Sequence, residues 1–266
     1  MQNHEIIKTL KKIAVLSLLF LLGINLFAQN PNTVTISGRV TDFDGNPIDN
    51  SAVVLMSSTF SPIHMTFSDE DGYYKIEDVE KGMYKSLLAL RFNEYPHARR
   101  LFGIEPVAED DMNFQFWAWN VIADRDLTIN ARRHRLELYG FRVFQVWGAG
   151  PYLMAYVRPM SLGRILTYEN WQEKDPNEKN SSVEPEDIEF KIYAGNEPLT
   201  IRSIQPLIEF AGENEFGITA FLLQFDLPTE PAATDRYIIF RLEATHHAFG
   251  GERGENIYFW EFNRHK

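Results

Sequence analysis

The sequence predicts an all-β chain built as two antiparallel β-sandwich domains, on three observations. Short apolar runs of period two recur over residues 33–92 and again over 136–262. Turn residues (Asp-Gly, Gly-Gly, Pro) separate them, and no apolar stripe of helical period reaches useful length. The 266 residues suffice for one large or two small cores, and two is the reading adopted.

Lys8, Lys11 and Lys12 precede an apolar run from Ile13 to Phe27, and Ala28 supplies a small residue at its end. This is the pattern of a secretory signal peptide, residues 1–28, with cleavage expected after Ala28. The run falls short of the roughly 18 to 20 residues a spanning helix needs, so no membrane insertion of the mature chain is expected. There is no cysteine, which excludes disulfides and the lipidated cysteine of a bacterial lipoprotein. The expected location is therefore exported, whether periplasmic, outer-surface or secreted, in a Gram-negative-type envelope. The formal charge is -11, and because the leader contributes +2 the remainder carries -13. Such a balance disfavours nucleic acid and anionic membrane surfaces as partners.

The first domain is expected over residues 30–135. Val34, Ile36, Gly38 and Val40 share one face of a strand, and Asp42 to Pro47 turns the chain. Ser51 to Ser58 and His64 to Ser68 follow as strands. Asp69-Glu70-Asp71-Gly72 then reads as a hairpin turn into Tyr73 to Val79, and Gly82 breaks the pattern before Met83 to Phe92.

Taken in order, Ile36-Ser37-Gly38-Arg39-Val40-Thr41-Asp42, Gly45-Asn46-Pro47-Ile48, Ala52-Val53-Val54, Ser68 to Tyr74 and Gly82-Met83-Tyr84 resemble the carboxypeptidase regulatory-like domain. The resemblance covers residues 33–92, with Asp126 to Ile129 matching a last strand after an insertion, and it implies a transthyretin-like β-sandwich. Similar domains are appendages of peptidases, outer-membrane receptors and adhesins, so it implies an architecture and no reaction.

Asp69 and Asp71 are the candidate metal ligands, for calcium. In the spacing of an EF-hand loop Phe67 would stand at the first ligand position, and turn chemistry explains the same residues; Asp42 and Asp44 before Gly45 repeat the arrangement. No other cofactor is expected. The insertion at about 93–125 is basic, then acidic, then aromatic. Tyr95, Arg99, Arg100, Trp117 and Trp119 are its candidate ligand-binding residues: two tryptophans with one residue between them on an extended strand can stack sugar rings or grip a peptide, although large aromatics are more often core, and core packing or domain contact is the first reading.

The second domain, 136–266, is expected to be immunoglobulin-like in general architecture. Leu136 to Trp147 keeps no clean parity, which predicts a bulge or an edge. Strands are expected at Pro151 to Val157, Asp187 to Tyr193, Ile201 to Phe210, Ile218 to Phe225, Arg236 to Glu243 and Asn256 to Phe262. Trp171 to Glu186 is polar and charged and reads as a surface loop. His246 and His247 must point to opposite faces of a strand. The familiar hydrolase, zinc and nucleotide motifs are missing, and carboxylates such as Glu169, Glu173, Glu209 and Glu243 have no readable pairing. These features together predict an exported, non-enzymatic binding, adhesion or envelope-assembly module with a protein or glycan ligand. The alternative is a secreted hydrolase of peptide or carbohydrate, or its accessory.

Overall fold

A computed structural model describes residues 32–146, 148, 150–172, 179–209, 217–229 and 236–261. The expected leader, Trp147, residues 173–178 of the polar stretch, Phe210 and Phe262 lie outside the described residues.

The first half supplies β1 (Thr33–Thr41), β2 (Ala52–Met56), β3 (Pro62–Phe67), β4 (Tyr73–Glu80), β5 (Gly82–Leu90), β6 (Phe116–Ala123), β7 (Leu127–Thr128) and β8 (Ala131–Arg132). The second supplies β9 (Leu136–Phe144), β10 (Tyr152–Ser161), β11 (Ile188–Ala194), β12 (Glu197–Leu199), β13 (Ile201–Glu209), β14 (Ile218–Asp226), β15 (Tyr237–His246) and β16 (Glu252–Glu261). The all-β class is borne out, and each half packs sheet on sheet. One four-stranded sheet has the order β4-β1-β7, with β8 also beside β1. A second has the order β13-β14-β10-β9. The third runs through both halves, β12-β11-β15-β16-β6-β5-β2-β3.

The joint lies between β6 and β16, which pair in parallel with Trp117 opposite Asn256 and Trp119 opposite Tyr258. Here the long sheet is covered on both faces. Phe116, Ala118, Leu87, Ile257 and Phe259 pack with Val34, Ile36, Val40 and Tyr74 of the first small sheet. Trp117, Trp119, Phe240 and Leu242 pack with Leu138, Val143, Leu153 and Phe225 of the second. A strand buried on both faces loses its alternation, and seven of the eight residues of β6 are buried. The aromatic end of the expected insertion is thus a central strand of the shared sheet. The described residues from Val34 onward accordingly form one compact unit, with the sheet running across the expected boundary near residue 135.

Ser68 to Gly72 does not close a hairpin. β3 lies at the edge of the long sheet and β4 at the edge of a small one, so the segment turns a corner between layers. The local turn chemistry is present: the Asp69 carboxylate accepts from the backbone N–H of Asp71 at 3.1 Å and of Tyr73 at 2.8 Å. Gly72 takes φ +81°, and a Cβ there would strike the Val40 carbonyl. Adjacent turn residues thus set a bend without deciding which strand pairs next.

The broken parity of β9 corresponds to a real irregularity. Register with β10 shifts between Tyr156 opposite Arg142 and Arg158 opposite Tyr139, and Gly140 takes φ +69°. The stretch expected as a surface loop is partly internal. Trp171, Lys179, Ser181, Ser182 and Val183 are buried, because its small polar groups find backbone partners: the Ser181 carbonyl accepts from Ser161 N–H, and Ser182 Oγ accepts from Thr219 N–H at 2.8 Å.

Candidate functional site

Trp117 and Trp119 project from β6 to the same side, as their spacing requires, and stack on each other at 4.6 Å with an interplanar angle of 16°. They are only 9% and 7% exposed: the pair is core, covered by the second small sheet, and offers no open platform for sugar rings. Tyr139 of β9 meets both rings edge-on, at 6.4 and 5.7 Å. Arg158 lies 4.9 Å over the Tyr139 ring and reaches Glu209 at 3.5 Å.

Behind the stack sits Glu137, which strand alternation did not single out because its neighbours Leu136 and Leu138 are also buried. One of its carboxylate oxygens accepts from Trp117 Nε1 at 2.8 Å and Gln115 Nε2 at 2.7 Å; the other has no hydrogen-bond partner among the described residues. Burial pushes its pKa up to about 7, against the opposing effects of these two donors and of Arg158. Tyr95 reaches the same cluster. Burial raises its hydroxyl, the Glu137 charge adds to that, and its ring packs edge-on to Phe114 at 6.0 Å. Arg99 and Arg100 stand apart on a solvent-facing helical turn, Ala98–Phe102, where Arg99 pairs with Glu105. Residues around that turn are held by a small core joining Met112 and Phe114 to Leu162, Ile165 and Trp171 of the second half. The five expected ligand residues are therefore divided between a core, a buried cluster and an exposed turn.

Asp69 is occupied by the turn just described, and no group of three or more acidic, His or Cys side chains able to hold a metal occurs among the described residues. A trio missed by the sequence reading is Ser161, His246 and Glu252, all fully buried. Glu252 Oε2 accepts from Ser161 Oγ at 2.5 Å and lies 3.1 Å from His246 Nδ1, while Oε1 accepts from Gly163 N–H at 2.6 Å. The carboxylate sits between serine and histidine, whereas activation of a nucleophile needs the histidine between them. Its placement holds the turn that follows β10. His247 on the opposite face is exposed.

Two surfaces stand out among the described residues. A groove of about 460 Å³ is lined by Phe60, Lys85, Trp119, Asn120, Tyr139, Gly140, Phe141, Arg142 and Tyr258. The other is the outer edge of β3, where Ile63, Met65 and Phe67 are 48%, 56% and 47% exposed.

An all-β protein whose first half carries the transthyretin-like pattern is the class these features define. Comparison with known families agrees: residues 35–115 match the model of the carboxypeptidase regulatory-like domain, the family the turn and strand motifs resemble. That match spans less than half of the chain. Among solved structures, the major pilin subunit BcpA of Bacillus cereus and a variant of it are similar, each at 8% identity and covering 85% of this chain and 69% of theirs. Their TM-scores are 0.25 and 0.26, a level at which the likeness carries no argument. No curated protein matches the sequence.

Proposed function

We propose that this is an exported, non-enzymatic binding or assembly module, and that it holds a partner protein by adding an extended strand of that partner to β3. The observation that carries the reading is the condition of this edge. β3 bonds β2 on one side only, contains no charged residue, carries its one proline, Pro62, at its first position where the rest of the edge stays free to pair, and presents Ile63, Met65 and Phe67 on the face where Ala52 and Val54 lie across from it. Exposed edges are normally blunted by charge, proline or brevity. Three other edges follow that rule: β12 has three residues including Glu197 and Pro198, β13 carries Arg202, Pro206 and Glu209, and β4 carries Lys75, Glu77, Asp78 and Glu80. An unguarded edge with alternating apolar side chains offers backbone hydrogen bonds for affinity and side-chain contacts for selectivity. Burial of the Ser161, Glu252 and His246 trio supports the non-enzymatic part.

A photo-crosslinking residue placed at Met65, in cells that export the protein, tests the reading against the same residue at Ile204 on β13. A discrete adduct is expected from Met65 and none from Ile204, with Ile63→Lys abolishing the adduct while leaving the melting temperature unchanged. Equal labelling at both positions, or no adduct at Met65, overturns the assignment. An adduct of twice the chain mass converts it to self-assembly.

A further inference from the structure

The groove between β5, β6, β9 and β16 has three properties that core packing does not require. Its charged lining residues, Lys85 and Arg142, are both cationic, in a chain where acidic residues outnumber Lys and Arg by 37 to 26. Neither forms an ion pair among the described residues; Lys85 lies 5.2 Å over the Phe60 ring, and Arg142 acts on the Tyr258 hydroxyl. By contrast Arg132 and Arg253, which line another cleft, are each matched to a carboxylate.

Backbone strain also collects here. Phe60 and Asn120, neither of them glycine, take φ of +59° and +54°, and Gly140 takes +69°. A left-handed phenylalanine is costly and is held only where the surroundings over-determine it. The result is that Phe60 stands edge-on to Trp119 at 6.2 Å, forming one wall. Asn120 is fixed by donation from its Nδ2 to the Phe259 carbonyl at 2.8 Å. The rest of the lining combines aromatic bodies with the polar tips of Tyr139 and Tyr258.

We infer that this groove binds an acidic oligosaccharide, with a ring carboxylate on Arg142 and Lys85 and the apolar side of the sugar against Phe60, Tyr139 and Tyr258. Aromatic surface with polar tips suits a ligand that has an apolar face and hydroxyl groups, and two unmatched cations select one that is also anionic. The volume lies within the range of small-ligand sites and accepts one or two sugar rings. The groove takes Phe60 from the loop that leads into β3 but no residue of that strand, and it shares only Trp119 with the buried tryptophan stack.

The test titrates the mature protein with oligogalacturonate, with neutral oligogalactose of the same length and with a tetraglutamate peptide, following tryptophan fluorescence and heat. Oligogalacturonate is expected to bind with an affinity that falls as salt rises, and the neutral oligomer about tenfold or more weaker. Arg142→Ala and Lys85→Ala are each expected to weaken it about tenfold without moving the melting temperature, since both side chains lie at the groove surface. Failure of the uronate to bind overturns the proposal, as does uronate binding that both variants leave intact. Tighter binding of tetraglutamate, lost in the same variants, replaces the saccharide by an acidic peptide.

Discussion

Glu137 concentrates the unusual energetics of this protein in one side chain. Its folded pKa of about 7 stands above the ordinary 4.5 because burial penalises the carboxylate. Between those values the folded chain keeps a proton that the unfolded chain has released. Stability from this group is therefore complete below about pH 4.5, declines as pH rises toward 7, and is level beyond it, a loss of roughly 3 kcal/mol. Urea denaturation at pH 5 and pH 8 is expected to show that decline, and Glu137→Gln to reduce it by making the protein more stable at pH 8. An unchanged pH dependence in the variant would assign the slope to other groups. Nothing in Leu136-Glu137-Leu138 announced this role, because alternation sets the face of a strand and cannot show that both faces are covered. Asp69 is the opposite case: its short carboxylate two residues from a turn amide was readable as turn chemistry from sequence, and that is how it is used.

At the level of elements, most expected strands occur where period two placed them, and their partners were the unreadable part. The Asp-Gly segment has the composition of a hairpin turn, yet β3 and β4 enter different sheets. Trp117 and Trp119 share a face of β6, which suits either a core or a ligand platform, and that face is filled by the second small sheet. β16 meets β9 where a Cβ on Gly254 would collide with the Leu136 carbonyl, and Asn256 Nδ2 donates to the Leu138 carbonyl two residues on. Gly254→Ala must push these layers apart and is expected to cost roughly 1–3 kcal/mol, measured by chemical denaturation. A neutral result would mean that β9 yields at no cost.

For the whole molecule, the long sheet makes each half depend on the other. Residues 30–135 alone would lose β16 as the neighbour of β6 and would uncover Leu88, Trp117 and Trp119. That fragment is expected to be insoluble or loosely packed, while residues 30–266 together unfold in one transition, coincident by tryptophan fluorescence and far-ultraviolet circular dichroism. Two separated transitions, or a fragment with dispersed amide resonances, would establish independent domains. The sequence by itself determined the all-β class, the position of most strands, the carboxypeptidase regulatory-like pattern over the first of the two halves and the expectation of export. These rest on local signals: side-chain period, turn residues, a charged and apolar leader. Only the tertiary structure decided that β6 pairs with β16 across the chain, that the tryptophans are core, and that a cationic aromatic groove and an uncharged edge are open to solvent. Those facts depend on which surfaces meet, and a side chain's sequence neighbours do not say what will cover it.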